Sequence, residues 1–142
     1  MKDQIELSIT VRGTVAEIWR ALTDSDDIEN WWSDDVVIEP RVGGKFKEAW
    51  VDDEGNKGLA SGKVLSLQEK KNITFTWREK DWPKEAQTEC TFSIEDQGPK
   101  RVLTVKHVGW GSLPDKSRAK IMKDFEVGWG YHLQELKSYL DD

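Results

Sequence analysis
The chain predicts an α+β fold: a curved antiparallel sheet of about six to seven strands wrapped around one long C-terminal helix, with two short helices after the first strand. Three observations carry this. Segments of alternating apolar and polar residues recur as far as Val108, separated by turns rich in glycine, proline and aspartate. The apolar spacing then changes from period two to helical from Ile121 to the end. Eight tryptophans in 142 residues fall on both kinds of segment. A sheet with one apolar face and a long amphipathic helix bury each other. A strongly curved sheet cannot touch a straight helix along its whole length, so a gap between them is expected.

Ile5, Leu7, Ile9 and Val11 alternate with polar residues, which predicts a first strand buried on one face. Gly13 ends it. Thr14 and Glu17 form a capping box that opens a short helix to about Leu22. The acidic stretch from Asp24 to Asp27 suits the start of a second short helix reaching Trp31. Val36, Val37 and Ile38 read as extended, and Pro40 prevents a helix from continuing. After Gly43 and Gly44 come strands over 45–52 and 58–67, joined by the hairpin residues Asp53, Glu54, Gly55 and Asn56. Further strands run over 73–77, 88–94 and 102–108. A loop holding Trp82 and Pro83 precedes the second of these, and Asp96 to Pro99 makes a tight turn before the third. Pro114 suits the first turn of the last helix. Its apolar stripe reads Ile121, Phe125, Gly128, Trp129, His132, Leu136 and Tyr139. Glycine inside a helix costs roughly 1 kcal/mol against alanine, so Gly128 signals either close backbone approach or room beneath the helix.

Size and composition bound the function. No repeat, linker or low-complexity segment divides the chain, and residues 1–142 read as a single domain. The formal net charge is −6, from 27 acidic and 21 basic residues, which argues against nucleic acid as a partner. Lys116, Arg118, Lys120 and Lys123 read as a solvated helix face. No apolar run approaches the roughly 20 residues that span a bilayer. The start, Met1 to Ile5, has no apolar signal region. Cys90 is the lone cysteine, so an intrachain disulfide is impossible and a reducing, cytoplasmic setting is the expectation.

The element order is that of the helix-grip fold, and local motifs sharpen the match. The segment from Ala21, Leu22 and Thr23 to Asn30, Trp31 and Trp32 is followed by Arg41, Gly43, Gly44 and Phe46. Then come Ser61, Gly62 and Val64, with Ile73, Phe75 and Trp77. Leu103, Val105 and His107 precede Gly109 and Trp110, and Gly128 and Trp129 precede Leu133 and Leu136. Across nearly the whole chain this resembles the START-like (SRPBCC) superfamily, in the branch named for activators of the heat-shock-protein-90 ATPase. The resemblance implies a helix-grip domain. Relatives in the superfamily include lipid carriers, hormone-binding and allergen proteins, polyketide cyclases and co-chaperone domains, so function must be argued from the site.

If the Phe46, Phe75 and Leu103 faces look toward the long helix, alternation places Glu48, Trp50, Trp77 and His107 on the same face. Phe125, Trp129 and His132 approach from the helix, and Trp31 and Trp32 frame an entrance or pack as a hinge. A carboxylate between Phe46 and Trp50 must be paired, protonated or wet, unless Glu48 sits at the rim or a bulge turns it. An inward histidine is more often a hydrogen-bonded core residue than a catalyst, and Cys90 reads as a small core residue. The site expected from sequence is therefore Trp31, Trp32, Phe46, Glu48, Trp50, Phe75, Trp77, His107, Phe125, Trp129 and His132. It would take a small hydrophobic or amphipathic molecule, a lipid or an aromatic metabolite. Alternatives are an enzyme of the polyketide-cyclase-like kind with Glu48 and His107 as acid and base, and a co-chaperone-like interaction module. No catalytic residue is assigned outright, and no cofactor is called for. Two histidines and one cysteine lack zinc spacing, and there is no nucleophile elbow, P-loop or dinucleotide fingerprint. Asp24, Asp26, Asp27, Asp34 and Asp35 lack the glycine and terminal glutamate of a calcium loop.

Overall fold
Each alternating segment forms a strand in the computed structural model, which describes residues 3–33 and 35–141. Met1, Lys2 and Asp34, which entered the readings above, lie outside the described residues. In chain order the elements are β1 (Gln4–Val11), α1 (Val15–Thr23), α2 (Ser25–Ile28), β2 (Val36–Ile38), β3 (Lys45–Val51), β4 (Lys57–Gln68), β5 (Asn72–Glu79), β6 (Thr88–Asp96), β7 (Arg101–Val108) and α3 (Asp115–Asp141). A short 3₁₀ turn, Trp110–Ser112, precedes α3. The strands form one antiparallel sheet in the order β1-β7-β6-β5-β4-β3-β2. Each strand from β2 to β7 pairs with its neighbour in sequence. Only β1 pairs across the chain, closing onto β7. This is the α+β helix-grip architecture the sequence predicts.

Local chemistry explains the turns. Asp52 accepts from the backbone N–H of Glu54 and Asn56 at 2.9 and 2.8 Å, and Gly55 takes a φ of 84° that other residues rarely adopt. The capping box of α1 is complete: Glu17 N–H donates to Thr14 Oγ1 at 3.1 Å, and Thr14 N–H donates to Glu17 Oε1 at 2.9 Å. Helix α2 is shorter than the sequence suggests. It ends at Ile28, leaving Trp31 and Trp32 in the turns that follow. The Trp31 indole N–H donates to the Ala21 carbonyl at 2.7 Å, so burying that ring takes precedence over extending the helix.

Helix α3 packs across the sheet with Met122, Trp129, Leu133 and Leu136 buried. The stripe read from sequence is therefore rolled to one side. Met122 and Leu133 are buried where Ile121, Phe125 and His132 are half-buried along its border. Both lines belong to one wide apolar face, and the roll of the helix on the sheet decides which line enters the core. The C-terminal end of α3 is tied to β1: Lys137 Nζ donates to the Thr10 carbonyl at 3.0 Å, and Arg12 N–H donates to Asp141 Oδ1 at 3.1 Å. Tyr139 Oη donates to the Asp27 carboxylate, joining α3 to α2. Among the described residues, no helix is long and apolar enough to cross a membrane.

The central strand β4 tolerates no bulk at one point. A Cβ on Gly62 would lie 1.9 Å from the Thr76 carbonyl oxygen, while Lys63 N–H donates to Thr76 Oγ1 at 2.9 Å. Gly62→Ala should therefore force β4 and β5 apart and lower unfolding free energy by about 2 kcal/mol or more, measured by urea denaturation. An unchanged midpoint would show that the ladder relaxes freely.

Candidate functional site
Alternation along β3 puts Phe46, Glu48 and Trp50 on the face toward α3, and along β5 it does the same for Ile73, Phe75, Trp77 and Glu79. Between them, β4 turns Gly58, Ala60 and Gly62 to that face. Glu48 is paired with Ala60, and Ala60 with Glu79. The two carboxyls thus stand two strands apart, roughly 10 Å between Cα atoms, with only a methyl group between them. Trp50 is paired with Gly58, and a Cβ there would come within 2.1 Å of the indole, so the ring lies across the glycine. The hollow lies over the large residues of β3 and β5, and none of these three β4 residues lines it. Above it α3 contributes Asp124, Phe125, Gly128, Trp129 and His132, and Trp32 closes one end. The resulting cleft has a volume of about 400 Å³.

Burial sets the electrostatics. It pushes the Glu48 carboxyl up to about 7, against the opposing pull of the Trp32 indole N–H and with a further push from Glu79. Glu79 is raised to about 7 by the same cause, opposed by the Trp77 N–H and assisted by Asp81. Each carboxyl is therefore near half-protonated at neutral pH and can either donate or accept a proton. His132 is lowered by burial, more than Glu135 raises it, which keeps its ring neutral. Its Nδ1 and the Trp77 Nε1 are buried with no hydrogen-bond partner among the described residues. The Trp77 N–H is close enough to lower Glu79, yet falls short of hydrogen-bond geometry with it.

Of the residues expected from sequence, Trp32, Glu48, Trp50, Trp77, Phe125, Trp129 and His132 come together around the cleft. Phe46 and Phe75 are fully buried beneath it, with ring centroids 4.5 Å apart and Phe46 4.8 Å from Trp77. Trp31 serves the junction with α1. His107 is also in the core. Its Nδ1 accepts from Trp129 Nε1–H at 3.1 Å, which leaves the ring proton on Nε2 for Thr88 Oγ1 at 2.7 Å, and Thr88 in turn donates to the Trp77 carbonyl at 3.1 Å. Burial lowers its pKa to about 3. With both nitrogens engaged it has none to offer a ligand. Glu79, Asp124 and the small residues of β4 escape the sequence reading. Carrying the alternation of 73, 75 and 77 two residues further finds Glu79, and the small residues of β4 pack beneath their neighbours rather than lining the cleft.

The loop after β5 is fixed rather than a free flap. Arg78 donates to the carbonyls of Trp82, Pro83, Lys84 and Ala86, and Trp82 packs on Trp110 and Phe125. A second depression, of about 330 Å³, lies between Ile5 and the first half of α3. No aromatic side chain lines it, and its Asp115 is paired with Arg118 at 2.7 Å, so it lacks the features that orient a ligand.

Residues 12–141 match the sequence profile of the family described as activator of Hsp90 ATPase homolog 1-like protein. Comparison with curated proteins returned no match. Many solved structures share the fold. A protein from Mesorhizobium loti is 19% identical with a TM-score of 0.79, covering 96% of both chains. The solution structure of the Aha1 dimer from Colwellia psychrerythraea is 23% identical with a TM-score of 0.77, covering 99% of this chain and 97% of that one. DynU16, from the dynemicin biosynthetic locus, is 18% identical with a TM-score of 0.76, covering 99% of this chain and 48% of that one.

The raised carboxyls predict how stability varies with pH. A folded pKa of about 7 against an ordinary value of 4.5 favours folding below 4.5, and that advantage is lost as pH rises through 7. Glu48→Gln should match the parent near the low end of this window. Above it, the variant should be more stable by up to about 3 kcal/mol in urea unfolding. A difference that does not change with pH would mean that water reaches the carboxyl freely.

Proposed function
The chain belongs to the family of activator of Hsp90 ATPase homolog 1-like proteins, and we propose that it binds a small hydrophobic or amphipathic molecule in the cleft between the sheet and α3. The observation that carries this is a cavity of about 400 Å³ walled by four indoles, with buried polar atoms that have no partner among the described residues. Ligand sites combine such a mostly apolar, preformed hollow with a few placed polar groups. Trp50 is half-buried at the cleft, and Trp32, Trp77 and Trp129 line it with the parts of their rings that the core leaves uncovered. Glu48, Glu79 and His132 orient the molecule's polar end.

Catalysis in the same cleft is a second reading, favoured by two carboxyls that titrate near neutrality. In that case Glu79, rather than His107, would be the partner of Glu48. Turnover of a bound substrate that survives both Glu48→Gln and Glu79→Gln would dismiss it.

Binding is tested first by native mass spectrometry of the purified protein together with analysis of its organic-solvent extract. A discrete extra mass, released by solvent, is the expected result. Gly128 allows a sharper test, since a Cβ there meets nothing within 4 Å. Gly128→Leu should keep or raise stability, by about 1 kcal/mol from helix propensity, while its side chain fills the cleft. The bound mass should vanish, and affinity for the probe 1-ethylnaphthalene should fall about tenfold or more. Unchanged probe binding in the folded variant would place the ligand elsewhere.

A further inference from the structure
We propose that the cleft selects a cationic amphiphile, whose aromatic or alicyclic body stacks among the indoles while its protonated amine sits between Glu48 and Glu79. The inference rests on the cleft being a ligand site and names the chemical class of its guest.

Charge is the first ground. The chain carries 21 lysines and arginines, yet none lines the cleft among the described residues, whereas three carboxyls do. The charged and titratable groups that face it are Glu48 from β3, Glu79 from β5, Asp81 from the loop beyond, and Asp124, His132 and Glu135 from α3. Asp124 is ion-paired with Lys120 at the exposed rim, at 3.1 Å. Glu48 and Glu79 have no ion-pair partner among the described residues, although both are half-buried. A buried carboxylate needs a counter-charge or a proton. Among the described residues no counter-charge faces them, so a proton serves in the empty cleft, and a cationic guest can take its place. An anion would meet three carboxyls instead.

The second ground is aromatic. Indole faces are the best protein partners for an organic cation, and the attraction strengthens where water is excluded. Four indoles stand around the same space as the two carboxyls.

The third ground is the orphaned Trp77 N–H, in a side chain only 4% exposed. Its neighbour Glu79 is half-protonated when the cleft is empty, and the two do not meet at hydrogen-bond geometry. A bound ammonium holds Glu79 ionised, which makes it a stronger acceptor for the neighbouring Trp77 N–H.

Three guests of one shape test the proposal by isothermal titration calorimetry near neutral pH: 2-(1-naphthyl)ethylammonium, 1-ethylnaphthalene and 1-naphthylacetate. The ammonium should bind about tenfold or more tighter than the neutral compound, and the carboxylate weakest. At about pH 6.5, titrations in buffers of different ionisation enthalpy should show protons released on binding the ammonium, as the carboxyls ionise. In Glu48→Gln/Glu79→Gln, checked for folding by circular dichroism, the ratio of ammonium to neutral affinity should shrink to about twofold and proton release should disappear. Either single variant substitutes if the double variant does not fold. Tightest binding by the neutral or anionic guest would overturn the charge inference and leave the cleft a ligand site. Failure of all three to bind would overturn both.

Discussion
Helix α3 is held to the sheet by a buried chain of hydrogen bonds centred on His107, and the shape of the molecule follows from that attachment. Trp129 of α3 donates to His107 of β7, which donates to Thr88 of β6, which donates to the backbone of Trp77 on β5. The Trp110 indole adds a bond to the His107 carbonyl at 2.9 Å. His107, through its ring and its carbonyl, thereby links the helix, two neighbouring strands and the turn that leads into α3. Inside a low-dielectric core each of these groups is costly to leave unpaired, so the helix has one favourable seat on the sheet.

Fixing the helix there decides where it cannot reach. β7, β6 and β5 lie beneath the anchor, whereas β4 and β3 continue the curve beyond it. On β4, Gly58 lies under the Trp50 ring and Ala60 is fully buried, so the cleft is lined instead by Glu48 and Trp50 of β3, Trp77 and Glu79 of β5, Trp32 and residues of α3. The cleft thus lies between a pinned helix and the strands that curve away from it. Its walls carry a cost in stability, because Glu48 and Glu79 are raised toward neutrality by burial without a counter-charge. The core satisfies its polar groups a few residues away, while these two carboxyls lack a counter-charge among the described residues. The two histidines show the division: His107 is spent on structure, while His132 keeps an unpartnered nitrogen at the cleft.

Much of this was legible in the chain. Period-two alternation placed Phe46, Glu48 and Trp50 together, and the same rule placed Phe75 with Trp77, because strand side chains alternate whatever the tertiary context. It also put His107 on the inner face, but not its partners, since hydrogen bonds from Trp129 and Thr88 depend on residues far apart in sequence. Glu79 escaped because its strand runs two residues past the last aromatic, and strand ends carry little signal of their own. The roll of α3 escaped for a related reason: Ile121, Phe125 and His132 are as apolar or aromatic as Met122 and Leu133, so the helical pattern alone does not rank them.

By itself, then, the sequence determined the elements, their order and which side of each strand faces inward, since these follow from local periodicity, capping and turn chemistry. Tertiary structure alone decided that Trp31, Phe46, Phe75 and His107 are core while Trp32, Glu48, Trp50 and Trp77 border open space. The difference is physical. Which face a residue occupies is a property of its own strand, but whether that face meets a neighbour or a void depends on the distance between a curved sheet and a straight helix. That distance is set by contacts between residues remote from one another in the chain.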